Sequence, residues 1–266
     1  MSESITVTRD GPLAVVTLNR PEKHNAIDLQ MFSELAAAGM RLARDPSLRV
    51  VILEGAGPSF CAGVDIGIFQ GQGDAIAASK MAPGDGTPAN FFQHAAWVWR
   101  EVPVPVICAL HGTAFGAGLQ IALAADIRYA APDCRLSIME IKWGIIPDMA
   151  ISKTMPSIVA PDRIKELAMS GRVISGDDAC ALGLVTAVHQ DPAGAARQTA
   201  ATIIGRSPDA IRAIKRLFDA AAHLSIADAL QLEARLQLEL LAGTNQREAV
   251  RANLEKRRPD FDDPPC

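Results

Sequence analysis

The sequence predicts an α/β protein in which strand–helix alternation gives way to a purely helical C-terminal region. Two observations carry this prediction. Up to about residue 160, short runs of strand character alternate with helical periodicity or Gly/Pro-rich turns; from Asp162 onward nearly every segment reads as helix. A chain of 266 residues, 49% hydrophobic and 21% charged, can build one main core with a smaller appendage. The expected division is a core over 1–195 and a helical region over 196–266.

Taken in order, 5–9 and 13–19 alternate apolar and polar residues around Asp10-Gly11-Pro12 and predict a hairpin. Asp28 is placed to cap a helix over 29–44, whose Met31, Leu35, Ala38 and Leu42 recur at helical spacing before Asp45-Pro46 ends it. The run RVVILE over 49–54 reads as a buried strand. From 55 to 90 the glycines, prolines and small polar residues are irregular, and 71–90 within them reads as a lid. A helix over 89–100, a strand over 104–110, a glycine-rich turn over 112–118 and a helix over 119–125 follow. Strands over 127–131 and 135–140, a loop over 142–149 and a helix near 151–159 complete the alternating part. The helices predicted beyond it are 193–206, 209–222, 226–242 and 246–257.

A net charge of −4 offers no electrostatic attraction to a phosphate backbone, so no nucleic-acid partner is expected. The five cysteines are scattered, without a CxxC, and signal neither a disulfide framework nor a metal site. The charged, alternating N-terminal stretch lacks the apolar core of a secretory signal, and no apolar run approaches the ~18 residues of a membrane span. A cytoplasmic location is the expectation.

Three segments have the character of a site. Ser59-Phe60-Cys61-Ala62-Gly63-Val64-Asp65-Ile66 follows a strand and has the small residues of a turn that aims main-chain N–H groups at a ligand oxygen. His111-Gly112-Thr113-Ala114-Phe115-Gly116-Ala117-Gly118-Leu119-Gln120 puts flexible residues at a helix start, where free N–H groups favour negative charge. Its spacing lacks the third glycine of a dinucleotide fingerprint. In Met139-Glu140-Ile141-Lys142-Trp143-Gly144-Ile145-Ile146-Pro147-Asp148 two carboxylates flank apolar residues, which raises proton affinity toward neutral pH. Taken singly, each segment also has a plain structural reading, and Asp148 in particular is placed to cap the next helix.

In this order, and with Leu18-Asn19-Arg20-Pro21-Glu22-Lys23-His24-Asn25-Ala26 before them, the segments resemble the crotonase (enoyl-CoA hydratase/isomerase) superfamily along almost the whole chain. The resemblance implies a spiral of ββα units followed by helices that mediate trimers, often stacked as hexamers. It implies an acyl-CoA thioester substrate, with CoA part of that substrate, and no metal or redox cofactor. Val64 and Ala117 match the main-chain donors that hold the thioester oxygen. Lys23, Ala26, Ala62, Asp65 and Ile66 match the CoA path, and Lys256 a C-terminal segment that approaches CoA phosphates, in some relatives from a neighbouring subunit.

Hydratases of this family carry two glutamates, where this sequence has Gln120 and Glu140. Glutamine cannot exchange a proton, so the two-glutamate hydration mechanism is not matched. The Glu140-x-x-x-Gly144-x-x-x-Asp148 spacing is similar to the dienoyl-CoA isomerase branch, in which two carboxylates pass protons along an acyl chain. The expectation is therefore isomerisation or hydration of an enoyl-CoA, with Glu140 and Asp148 as the proton-transfer pair. Two alternatives stand beside it: a non-catalytic acyl-CoA-binding homologue, motivated by Gln120, and a dehalogenase-like enzyme with Asp148 as covalent nucleophile. The five histidines and Cys61 are read as structural.

Overall fold

A computed structural model describes residues 3–69, 75, 78–84 and 86–264. Strands β1 (Ile5–Asp10) and β2 (Leu13–Leu18) form the expected antiparallel hairpin. Helix α1 (Leu29–Ala43), β3 (Val50–Gly55), α2 (Phe91–Glu101) and β4 (Val106–Leu110) then continue as parallel crossovers. With β6 (Ile127–Ala130) and β8 (Ala187–Val188), these strands make a six-stranded sheet of order β1-β2-β3-β4-β6-β8. A second, parallel pair joins β5 (Thr113–Phe115) to β7 (Arg135–Ser137). Isolated bridges extend that pair on both sides, Cys61 to Ala114 and Leu136 to Ile174.

Strand β4 and the first four residues of β3 (Val50 to Leu53) read as unbroken apolar runs because both sheet faces are covered there. Side chains alternate across a strand, so Val51, Leu53, Val106, Cys108 and Leu110 join the main core with α1 and α2. Val50, Ile52, Ile107 and Ala109 join a second cluster with Ala196 and Ala200 of α7 (Pro192–Ile204). The expected 195/196 division thus falls inside a helix packed on the sheet. Beyond it lie α8 (Pro208–Ala221), α9 (Ile226–Leu240) and α10 (Thr244–Leu254). Phe218, Ile226, Leu238 and Leu254 on these helices are 70–83% exposed.

Several boundaries differ from the sequence reading for local reasons. The 89–100 helix starts at Phe91 because the Asn90 side chain accepts from the Phe92 and Gln93 N–H groups as an N-cap. The 104–110 strand starts at Val106, after Pro105, which has no N–H to give a ladder. The glycine-rich turn over 112–118 contains β5, and the helix after it, α3 (Ala117–Leu123), begins two residues early. The 135–140 strand stops at Ser137, and Glu140 instead opens a 3-10 turn, Glu140–Trp143. The 151–159 helix shortens to α4 (Ile151–Thr154); α5 (Pro161–Ser170) and α6 (Gly176–Ala181) precede β8, a strand of two residues inside the part expected to be helical. Of the 71–90 segment read as a lid, residues 71–74, 76, 77 and 85 lie outside the described residues. Among the described residues, no helix is long and apolar enough to cross a membrane.

Candidate active site

One half of the site is built from backbone. Asn25, buried and in the left-handed region at φ 56°, donates from its amide to the carbonyls of Ala56 (2.9 Å) and Ser59 (2.8 Å) and accepts the Arg20 N–H (2.8 Å). Asn tolerates such a backbone better than most side chains, which is why it can stand here and tie two loops together. His24 Nδ1 meets Ser59 Oγ at 3.0 Å, and His111 Nε2 meets the Gly57 carbonyl at 2.9 Å; both histidines serve the turn. Arg20 hydrogen-bonds the Ala26 carbonyl and reaches Asp65 at 3.2 Å and Asp28 at 3.3 Å. The Gly67 N–H and this guanidinium hold the Asp65 carboxyl below its usual range.

The 61–64 turn is then laid against α3. Cys61 donates its N–H to Thr113 (2.9 Å) and accepts from Phe115 (3.0 Å). A Cβ at Gly118 would stand 2.6 Å from that of Cys61, so glycine is what allows the helix start to approach so closely. Ile27 gives its N–H to the Gly63 carbonyl (2.8 Å) and accepts from Asp65 (2.9 Å), which leaves the N–H of Val64 between them outside this pairing. Ala117 is the first residue of α3, where an N–H has no partner inside the helix. A loop and a helix start thereby present main-chain N–H groups left out of the local pairing.

Side chains build the other half. Gly116 donates to the Ser137 carbonyl (3.0 Å), joining the α3 start to the end of β7, and the turn that follows carries Glu140. Glu140 is 8% exposed and Gln120 1%. Gln120 Nε2 donates to Glu140 Oε1 at 2.6 Å, and its own carbonyl oxygen accepts the Met149 N–H at 2.8 Å. Among the described residues, Glu140 Oε2 is buried with no hydrogen-bond partner. Burial raises the proton affinity of Glu140; its backbone N–H and Gln120 oppose the rise, and the charge of Asp148 adds to it. Burial also raises Asp148, which pairs with no cation among the described residues. Asp148 does not cap α4: the N-cap is Ala150, at φ 62° and without a side-chain hydrogen bond.

Both halves line one cavity of about 620 Å³, and the Glu140 carboxyl lies close to the start of α3: a Cβ at Gly116 would stand 3.1 Å from its Oε1. Of the residues expected from sequence, Glu140, Val64, Ala117, Lys23, Ala26, Ala62, Asp65 and Ile66 line it. Gln120, Asp148 and Lys256 do not: Gln120 stands behind Glu140, and Lys256 is exposed just after α10. Met139, Trp143 and Ile145 add an apolar wall. The sequence shows Trp143 and Ile145 only as part of the apolar spacer between the two carboxylates. Asn25 and Arg20, which hold the loops, carry no sequence signal beyond their place in the 18–26 motif. Cys61 is fully buried and its thiol is pushed up to about 12, so it is no nucleophile near neutral pH. Trp99 is in the core, its indole N–H bonded to the Ala95 carbonyl at 3.0 Å. A buried carboxyl and two main-chain N–H groups lining one partly apolar cavity make an arrangement suited to forming and holding an oxyanion.

Residues 8–264 match the family model described as enoyl-CoA hydratase/isomerase. The chain is 33% identical over 262 residues to a probable enoyl-CoA hydratase from Mycobacterium tuberculosis, covering 97% of this chain and 98% of that one. It is 30% identical over 270 residues to the peroxisomal Δ(3,5)-Δ(2,4)-dienoyl-CoA isomerase of Arabidopsis thaliana, covering 97% and 96%. The crystal structure of an enoyl-CoA hydratase from Bacillus anthracis superposes with a TM-score of 0.88 at 27% identity, over 97% of this chain and 98% of that one. The crotonase-type fold expected from the resemblance is the fold found.

Proposed function

We propose, from the premise that this chain belongs to the enoyl-CoA hydratase/isomerase family of enzymes, that it shifts a double bond along an acyl-CoA thioester through an enolate, with Glu140 as the proton carrier. The observation that carries this reading is the state of Glu140. It lines the cavity beside Val64 and Ala117, one oxygen is held by Gln120, and the other has no partner among the described residues. In a 3-enoyl thioester the α C–H bond breaks and its proton passes to Glu140, while the electron pair moves into an enolate whose oxygen takes hydrogen bonds from the Val64 and Ala117 N–H groups. Glu140 then gives a proton to the γ-carbon, the 2-enoyl thioester forms, and the carboxylate is restored. A 3,5-diene follows the same course: loss of the α proton to Glu140 gives an enolate conjugated through both double bonds, and return of the proton to the far end of that system leaves the 2,4-diene.

Hydration needs a second group to hold and split water, and Gln120 can exchange no proton and stands outside the cavity lining. This favours isomerisation. Asp148 is assigned an electrostatic part, raising the proton affinity of Glu140 from outside the lining; a covalent role for it finds no support in that position. Lys23, exposed on the rim, with Ala26, Ala62, Asp65 and Ile66, is proposed to take the CoA moiety, and no metal or redox cofactor is invoked. The exposed apolar side chains of α8 to α10 support assembly as a trimer or hexamer, in which Lys256 would serve a neighbouring copy's CoA. Particle mass in solution checks the assembly, and a monomer at micromolar concentration would sink it.

The reaction is tested by turnover of 2-enoyl, 3-enoyl and 3,5-dienoyl thioesters, with hydration and isomerisation followed separately. Isomerisation without efficient hydration is expected. Fast hydration of the 2-enoyl thioester with no isomerisation would overturn the proposal, and binding of all three without turnover would leave only an acyl-CoA-binding protein.

A further inference from the structure

We infer that Gln120 is a positioning residue that decides which oxygen of Glu140 carries the proton; this rests on the proposed isomerisation and deepens it. An amide has one donating and one accepting end. The Met149 N–H can only donate, so the end of Gln120 that meets it at 2.8 Å is the carbonyl oxygen. The NH2 end is thereby turned toward Glu140 Oε1 at 2.6 Å. That oxygen accepts, and the carbonyl oxygen of a protonated carboxyl is a better acceptor than its hydroxyl oxygen, so the amide favours placing a proton of this carboxyl on Oε2. Oε2 is also the oxygen with no partner among the described residues, buried in a residue that lines the cavity.

The amide has little freedom to let go. Gln120 is 1% exposed in the interior of α3, and its two partners lie 20 and 29 residues away in sequence, on separate segments. Releasing either would leave a polar group buried and unpaired. The carboxyl is held in one orientation and one protonation geometry, and Gln120 itself passes no proton.

The test reads Glu140 directly. The carboxyl ¹³C signal of Glu140, assigned by its loss in Glu140→Gln, is titrated in the wild type, Gln120→Met and Gln120→Glu, alongside the pH dependence of kcat for a 3-enoyl thioester. In Gln120→Met the hydrogen bond that favours the carboxylate is gone, so the midpoint of Glu140 is expected to move up. Its kcat should fall roughly 10–100-fold, as for a lost hydrogen bond to a charged group, with KM within about threefold. In Gln120→Glu two carboxyls share one proton. While it is present the new acid donates to Oε1 in place of the amide, and when it leaves at higher pH the donor is lost. Turnover of Gln120→Glu should therefore gain an alkaline limb that the wild type lacks, which a side chain serving only to fill space would not produce.

An unmoved Glu140 midpoint in Gln120→Met, or a Gln120→Glu profile superimposed on the wild type, would overturn the inference. Should Gln120→Met fail to fold, the two-step titration of Gln120→Glu decides alone. If the wild type turns over no 3-enoyl thioester while both titrations shift in these directions, the proposed reaction fails and the hold of Gln120 on Glu140 stands. Turnover with unshifted titrations would keep the reaction and remove the hold.

Discussion

The two walls of the cavity are made of different materials. On the Val64/Ala117 wall the proposed chemistry is main chain: glycines and small residues let two segments approach, and which side chain sits on a proposed donor residue matters little to its N–H. On the Glu140 wall it is all side chain, a carboxyl whose orientation depends on one amide and whose charge depends on burial. The backbone wall should tolerate exchange of side chains but not of its glycines. The side-chain wall should be sensitive to single atoms.

The largest expected effect is on the side-chain wall. Glu140→Gln keeps the shape and removes the proton carrier, and turnover should fall roughly 10²–10⁴-fold with acyl-CoA affinity almost unchanged. Steady-state kinetics beside a binding titration separates the two, and wild-type turnover would erase the contrast between the walls. Next comes Gly118→Ala. Its Cβ would meet the Cys61 Cβ at 2.6 Å and the Cys61 carbonyl oxygen at 3.0 Å, so a stability loss of about 1–3 kcal/mol is expected by chemical denaturation. An unchanged unfolding midpoint would show that the loops are held apart from one another.

How far each wall is legible in the amino-acid sequence differs for the same reason. Close backbone approach leaves a trace in composition, and Ala62-Gly63-Val64 and Gly116-Ala117-Gly118 stand out as runs of small residues at predicted turns. The Gln120–Glu140–Met149 network leaves none, because it joins residues 20 and 29 positions apart through side-chain orientations that only the packed fold sets. Gln120 is visible in the sequence as a departure from the two-glutamate pattern, yet its role as a tether is not. Strand β5 has three residues and β8 two, too few for a period of two to show; their pairing with β7 and β6 is a tertiary event. The long elements β1, β2, α1 and β3 match their predicted spans closely, since their patterns run over six or more residues.

Smaller effects sharpen the comparison. The charge of Asp148 raises the proton affinity of Glu140, so in Asp148→Asn the Glu140 carboxyl should ionise at lower pH. Turnover that needs the carboxylate is lost as pH falls through that ionisation, and its acid limb should therefore shift to lower pH. The rate at neutral pH should drop no more than about tenfold, because a less basic carboxylate is a slightly poorer base. A loss as deep as that of Glu140→Gln would instead make Asp148 a direct proton donor. Smallest of all, Val64→Ala retains the main-chain donor and should change kcat by less than about threefold; a larger fall would show that the backbone wall depends on side-chain shape.

Deuterium exchange into the α-position of a saturated acyl-CoA tests the proposed enolate most directly, because it needs only the carboxyl and the two N–H donors and no double bond. In D2O the wild-type protein is expected to label that carbon well above the solution rate and Glu140→Gln to reduce the labelling roughly 10²-fold or more. A wild-type protein that binds the thioester and leaves its α-carbon unlabelled would contradict enolate formation at this site.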